Sequence, residues 1–288
     1  MAHGNRTKVL ITGAAGGMGR ACARLIGLTH DLVLNDVAAP GLEAFAAELE
    51  RDGYTVSAAI AGDTCDDDVL ARLVSALDRG QPFAVVHTAG VSPSLGDWQT
   101  IMRVNMAGTV QLMEALEPLV VPGTVAVLIA STAGHLFPYA PEADAVLLSS
   151  PRDELVSRMA PFVEGMAAQA GKPEAAGGIA YSFSKRGVLR YAERKAMDWG
   201  PQGGRVVSIS PGLMLTPMGR KELENSAGAK ATLDAAPVGR PGTALDIAMV
   251  ARFLIGPEAD FISGSDIRVD GGSVSAMMVA AAQAAGGQ

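Results

Sequence analysis

Short apolar runs punctuate the chain, and longer stretches with helical spacing separate them. KVLIT (8–12), DLVLND (31–36), FAVVHTAG (83–90), GTVAVLIAS (123–131), GRVVSIS (204–210) and DIRVDGG (266–272) are nearly continuous in Val, Ile and Leu. Strands buried on both faces of a parallel sheet read this way, whereas a half-solvated strand alternates. TVSAAIAGD (55–63) fits the same description more weakly. Between these runs, 42–52 and 68–79 place apolar residues at helical intervals. Strand–helix alternation predicts βαβ units and an α/β fold built on a doubly wound parallel sheet. No internal repeat, low-complexity linker or second domain is visible, so 1–288 reads as one domain.

The rhythm breaks over 136–180, a helical insertion. Within it, Ser150 with Pro151 and Asp153 reads as a helix cap, first position and first turn. Leu155, Met159, Phe162, Val163 and Met166 then form an apolar stripe. Pro161 is expected to bend that helix or divide it, and Gly171 and Pro173 to end it. The stripe suits either a lid over an apolar pocket or a helix packed on the body or on a partner subunit.

Composition narrows the picture. Hydrophobic residues make up 49% and aromatics 5%, so a large core must be built from Ala, Val, Leu, Ile and Met. The net charge of −7, with no clustered basic stretch visible in the chain, argues against nucleic acid as a partner. Cys22 and Cys65 form neither a disulfide framework nor a metal pattern. No signal-peptide pattern opens the chain and no apolar stretch reaches the ~18 residues of a membrane span, so the expectation is a soluble cytoplasmic protein.

Candidate chemistry starts at ITGAAGGMGRA, between the first strand and a helical pattern beginning near Met18. Gly13, Gly17 and Gly19 permit a tight turn and close approach of a pyrophosphate to a helix N-terminus. Asp36 closes the next strand, 17 positions beyond Gly19. A carboxylate there accepts hydrogen bonds from both adenosine-ribose hydroxyls and repels a 2′-phosphate, which favours NAD over NADP. Gly16 offers no basic side chain to such a phosphate. Far downstream, GGIAYSFSKRG sets Tyr181 one helical turn before Lys185.

These motifs resemble the short-chain dehydrogenase/reductase family, a Rossmann-fold family, nearly end to end. TGAAGGMG fits its glycine turn at Thr12, Gly13, Gly17 and Gly19, and YSFSK its Tyr–Lys motif. STAG places Ser131 at its catalytic serine, and VNMAGT places Asn105 at its helix-breaking asparagine. SPGLMLTPM (210–218) fits its Pro-Gly turn, with Pro211, Gly212, Met214 and Thr216 near the nicotinamide, and SGSDIRVDGG resembles its last strand. Asp63, Ala89 and Gly90 fall where the family holds the adenosine half and the ring. The family's NNAG is HTAG here, with His87 and Thr88 in place of two asparagines. The glycines also fit TGxxGxxG, the turn of an epimerase-like branch, while the C-terminal third argues against that branch.

The resemblance implies catalysis by Tyr181, Lys185, Ser131 and Asn105, with NAD bound at Gly13, Gly17, Met18, Gly19, Asp36, Asp63, Ala89, Gly90, Tyr181, Lys185, Pro211, Gly212, Met214 and Thr216. Tyr181 would exchange a proton with the substrate oxygen, its pKa lowered by the Lys185 ammonium and a positive nicotinamide, while Ser131 steadies that oxygen. His87 and His135 are assigned to packing or site lining, and no metal is expected. The 50 positions from Ser131 to Tyr181 and the tail after DGG resemble bacterial 3α-hydroxysteroid dehydrogenase/carbonyl reductases. That implies a bulky apolar alcohol or ketone such as a steroid, an aromatic or a terpenoid alcohol, with 213–238 as a lip of the pocket. A homodimer or homotetramer follows from the same resemblance. An NAD-recycling epimerase and a non-catalytic NAD(H)-sensing regulator are the alternative readings.

Overall fold

The computed structural model describes residues 6–138 and 140–286, so residues 1–5 of the N-terminal reading lie outside the described residues. Among the described residues the strands are β1 (Lys8–Thr12), β2 (Asp31–Asp36), β3 (Val56–Ala61), β4 (Phe83–His87), β5 (Val125–Ile129), β6 (Arg205–Pro211) and β7 (Asp266–Val269). All pair in parallel in the order β3-β2-β1-β4-β5-β6-β7. The order reverses between β1 and β4, the switch point at which such sheets open a ligand crevice.

The unbroken apolar runs divide their side chains between two cores. On β1, Leu10 enters one core and Val9 and Ile11 the other; on β5, Ala126 and Leu128 face Val125, Val127 and Ile129 across the sheet. This is why neither strand alternates. The weaker 55–63 run is the edge strand β3, where alternate residues are exposed.

Among the described residues the helices, in chain order, are α1 (Gly17–Ile26), α2 (Ala39–Arg51), α3 (Asp67–Ala76), α4 (Trp98–Met102), α5 (Gly108–Leu116), α6 (Ala133–Leu136), α7 (Pro141–Ser149), α8 (Leu155–Gln169), α9 (Ala176–Trp199), α10 (Pro217–Asn225), α11 (Ala227–Asp234), α12 (Ala244–Ile255) and, after β7, α13 (Ser273–Gly286). A π-helical turn, Arg103–Ala107, joins α4 to α5.

The insertion differs from expectation in two details. Ser150 does not begin a helix. Its N–H bonds to the Val146 carbonyl and ends α7, and a tight turn in which Glu154 N–H meets the Pro151 carbonyl intervenes before α8 starts at Leu155. Pro161 does not divide α8, which runs unbroken through it. Pro161 and Ser157 both lie exposed, so water can take the place of the missing N–H at the Ser157 carbonyl. Gly171, at φ +62, closes the segment as expected.

The apolar stripe faces the body. Leu155, Met159 and Val163 are fully buried in the core that holds Ile101, Met102, Met106 and Phe183, while Phe162 and Met166 pack at its margin. Phe183 stacks between Phe137, at 4.4 Å between ring centroids, and Phe162, at 6.3 Å. A partly buried two-pronged ion pair, Arg186 to Asp144, ties α7 to α9 one residue after Lys185. The insertion is thus a buttress of α9.

Candidate active site

A cleft of about 580 Å³ opens at the carboxyl ends of β1 and β4. The glycine turn floors it, Asp36 and Asp63 stand toward one end, Thr88 to Val91 form one wall, and Thr216 to Met218 with Lys221 form another. Its volume lies within the usual range for a small-molecule or cofactor pocket.

Each glycine of the turn answers a different steric demand. Gly13 adopts φ +65, and a Cβ there would lie 2.8 Å from the Ala89 nitrogen. A Cβ on Gly17 would lie 2.8 Å from Thr216 Cγ2, so that glycine admits the start of α10. A Cβ on Gly19 would lie 2.1 Å from the Gly13 carbonyl oxygen. Gly19→Ala should therefore unmake the turn, lowering stability by about 1–3 kcal/mol and abolishing dinucleotide binding. Thermal melts and NADH titration check both, and unimpaired binding would remove this turn from the site.

Asp36 braces the turn from the next strand. Its carboxylate accepts the Ala15 N–H at 2.9 Å and the Ala38 N–H at 2.9 Å. Asp63 accepts the Cys65 N–H at 2.9 Å and the Arg103 guanidinium at 2.9 Å. Those donors hold its carboxyl below the usual range although burial opposes them. Cys65 beside it is inert, because burial pushes its thiol up to about 12.

His87 and Thr88 take over the bracing expected of two asparagines. His87 is almost fully buried, and burial, helped by the Lys185 charge, pushes its pKa down to about 3. It is therefore neutral, with one donor and one acceptor. Nδ1 lies 2.7 Å from Thr12 Oγ1 and Nε2 lies 3.0 Å from Thr109 Oγ1. Thr109 already donates to the Asn105 carbonyl at 2.7 Å, so Nε2 carries the proton and Nδ1 accepts from Thr12. The chain of bonds runs from the glycine turn through Thr12, His87 and Thr109 to Asn105. Thr88 Oγ1 donates to the Thr12 carbonyl at 2.7 Å.

Asn105 sits in the π-helical turn, a local device often found at functional sites. Its amide oxygen accepts the Val91 N–H at 2.8 Å, and its Nδ2 donates to the Val91 carbonyl at 3.0 Å and to Ser184 Oγ at 3.2 Å. It thereby clamps the loop after β4 onto α9 beside Lys185. A Cβ on Gly90 would lie 3.1 Å from Asn105 Oδ1 and 3.5 Å from Lys185 Nζ, so a bare backbone is needed there.

Helix α9 presents Tyr181 and Lys185 on one face, as their spacing implies. Ser131, at the end of β5, is near enough to the Tyr181 phenol to favour its ionisation, and its Oγ accepts the Ala133 N–H at 3.2 Å. Lys185 Nζ donates to the Ile129 carbonyl at 2.9 Å and sits 5.9 Å from the tyrosine ring centroid. The phenol is accordingly not depressed in this state. Burial pushes its pKa upward, Glu222 adds to the rise, and Ser131 opposes it. Burial also lowers Lys185 to about 8, with Glu222 opposing.

The remaining expected residues are arranged more loosely. Thr216 caps α10 by accepting the Gly219 N–H at 3.1 Å, and lines the cleft. Pro211 and Gly212 pack at the end of β6, where a Cβ on Gly212 would lie 2.8 Å from Asp270 Cα. The Met214 side chain is buried against Gly242, away from the cleft-lining set. His135 bonds to Asp266 at 2.8 Å and to Ser210 at 3.2 Å, bracing β6 against β7. Arg103, Lys221 and Glu222 were not anticipated. Among the described residues no cluster of His, Cys, Asp and Glu suits a metal ion.

A doubly wound sheet with a glycine turn, an acidic residue closing the second strand, and Tyr–Lys–Ser at one crevice defines a class of dinucleotide-dependent oxidoreductases. Comparison with known proteins resolves the class further. The family described as short chain dehydrogenase matches residues 7–141, and that described as Enoyl-(Acyl carrier protein) reductase matches 163–274. The short-chain dehydrogenase/reductase bsc3 of Alternaria brassicicola is 32% identical over 92% of this chain and 95% of its own length. The 3-alpha-hydroxysteroid dehydrogenase/carbonyl reductase of Comamonas testosteroni is 28% identical over 92% of this chain and 95% of its own. The crystal structure of the 3-alpha-hydroxysteroid dehydrogenase from Pseudomonas sp. B-0831 complexed with NADH superposes with a TM-score of 0.72 at 25% identity, covering 95% of this chain and 99% of that one. The chain belongs to the short-chain dehydrogenase/reductase family of oxidoreductases.

Proposed function

We propose that the protein is an NAD-dependent oxidoreductase that interconverts a secondary alcohol and a ketone on a substrate with a bulky apolar body. The observation that carries this reading is the meeting of Tyr181, Ser131 and Lys185 beside a cleft whose turn is braced by the Asp36 carboxylate. Gly13, Gly17, Met18 and Gly19 would hold the pyrophosphate, Asp36 the adenosine ribose, Asp63 the adenine side, and Ala89, Gly90, Lys185 and Thr216 the nicotinamide half. When bound, the nicotinamide accepts or donates the hydride.

The chain's own groups manage the proton. Ser131 donates a hydrogen bond to the substrate oxygen and holds it against the phenol. Tyr181 takes the hydroxyl proton on oxidation and returns it on reduction. Because burial, with Glu222 adding to it, holds the phenol high, it needs positive charge next to it before it can serve as a base. Lys185, kept near by Ile129 and Asn105's clamp, supplies part of that charge. The apolar body would lie toward Val91, Phe137 and Ile179, which, like Tyr181, pack at the margin of the core.

Cofactor choice is tested at Asp36. Asp36→Ala should lower kcat/KM for NAD by about 10–100-fold, the worth of charge-assisted bonds to a ribose, and relieve the repulsion of NADP. Steady-state kinetics with both dinucleotides read the ratio, and an unchanged ratio rules out this carboxylate as the discriminator.

A homo-oligomer is part of the proposal. Leu245, Met249 and Phe253 are exposed at four-residue intervals along α12, Phe261 is fully exposed nearby, and β7 is an open sheet edge. The 136–180 insertion covers α9 instead of leaving it bare. Among the described residues no helix is long and apolar enough to cross a membrane, in keeping with a cytoplasmic setting.

A further inference from the structure

We infer that Arg103 is the base-binding residue of the dinucleotide cleft: its guanidinium stacks on the adenine ring, so the site selects a purine by its face more than by its amino group. The inference rests on the oxidoreductase reading above and deepens it.

The sheet order fixes where a base must go. The glycine turn after β1 is the place for a pyrophosphate, and Asp36 closes β2 at the place for a ribose. β3 is the next strand outward, and Gly62, Asp63 and Thr64 line the cleft just past its end. That loop is held firmly. Asn35 Nδ2 donates to the Ile60 carbonyl at 2.9 Å and to the Gly62 carbonyl at 3.1 Å, and the Gly62 N–H donates to the Asp36 carbonyl at 3.0 Å. A base carried by a ribose at Asp36 therefore falls at the Asp63 end.

Arg103 reaches the same end from the π-helical turn. Its Nη1 donates to Asp63 Oδ2 at 2.9 Å, and Asp63 Oδ1 accepts the Cys65 N–H at 2.9 Å. The Cys65 thiol donates to the Arg103 carbonyl at 3.6 Å. Gly108 leaves room for that sulfur, since a Cβ there would lie 2.9 Å from it. Side chain and main chain of Arg103 are thus both fastened to the base end, and the half-exposed guanidinium lines the cleft.

As an exposed ion pair alone, this contact contributes little. As a fixed plane it has a use. Each Asp63 oxygen already accepts one donor, so the carboxylate is partly occupied before an exocyclic amino group arrives. The electron-rich face of a base repels a carboxylate but attracts a guanidinium, which is flat and stacks well. Held by Asp63, the guanidinium loses little further freedom when a ring settles on it.

The test titrates the adenine, hypoxanthine and cytosine forms of reduced nicotinamide dinucleotide by fluorescence against wild type, Arg103→Ala and Arg103→Lys. Thermal melts confirm that each variant folds, and the wild-type comparison needs no variant. In wild type the adenine and hypoxanthine forms, alike in ring and different in the amino group, should bind within about 5-fold of each other, and the smaller cytosine form about 10-fold more weakly. Arg103→Ala should weaken both purine forms by about 10-fold and the cytosine form by about 2-fold, which flattens the preference. Arg103→Lys should recover part of the loss, because a point charge on a flexible stem stacks less well. A hypoxanthine form about 10²-fold weaker than the adenine form in wild type would assign the choice to the amino group and overturn the inference. Unchanged binding in Arg103→Ala also overturns it, as does an equal loss on all three forms, the mark of a residue that only shapes the loop. In each case turnover of a secondary alcohol with NAD leaves the oxidoreductase reading intact. Absence of binding by all three forms to wild type overturns both.

Discussion

Tyr181→Phe lowers kcat by about 10³-fold or more while NADH still binds, in keeping with the 10²–10⁴ worth of a positioned acid–base group. The substitution keeps the ring, which packs against the core that holds Phe183, and removes one oxygen near Ser131. The dinucleotide contacts proposed for the glycine turn and Asp36 are untouched. Binding and chemistry should therefore separate cleanly: fluorescence titration gives an unchanged NADH Kd, and single-turnover kinetics give the lost step. Full activity would take the phenol out of the reaction and leave only a nucleotide-binding fold.

Replacement of His87 changes how stability responds to acid. The unfolded imidazole takes up a proton near its ordinary value of 6.5, and the folded one only near 3. Between those values the unfolded state binds one more proton, so stability falls as the pH falls and levels off below about 3. From pH 7 to pH 4 this single group accounts for a loss of about 3 kcal/mol, at 1.36 kcal/mol per pH unit. His87→Asn removes that slope, whatever its effect on stability at neutral pH. Urea unfolding of both proteins at pH 7 and pH 4 supplies the comparison. Equal acid losses would mean that the imidazole is already charged, or hydrated, in the folded protein. In the charged form it could not accept from Thr12, and the bonded path from the glycine turn to Asn105 would be cut.

The frame of the fold was legible in the chain because its signals are local. β1, β2 and β6 follow directly from Val, Ile and Leu in short runs, and the glycine turn from residues within one loop. Tyr181 and Lys185 were legible because one helix carries both. What escaped depends on tertiary return. His87 finds Thr12 across 75 positions and Thr109 across 22, so no window of sequence shows that the imidazole can stand in for an asparagine. Lys221 reaches the cleft only because α10 folds back over it, and in the chain it is one charge among several in an ordinary polar helix. Ser150 misled for the opposite reason: a strong local cap signal lost to a turn that seats Leu155 in the core.

The buttress between Ser131 and Tyr181 also constrains the protein's ancestry and its engineering. Trimming it to a short connection would bare Ile101, Met102 and Phe183 to water and take Asp144 from beside Arg186, adjacent to the reactive lysine. A variant can be redecorated freely on the segment's outer surface, but shedding the segment would demand polar residues in place of the apolar side chains it covers on α4 and α9.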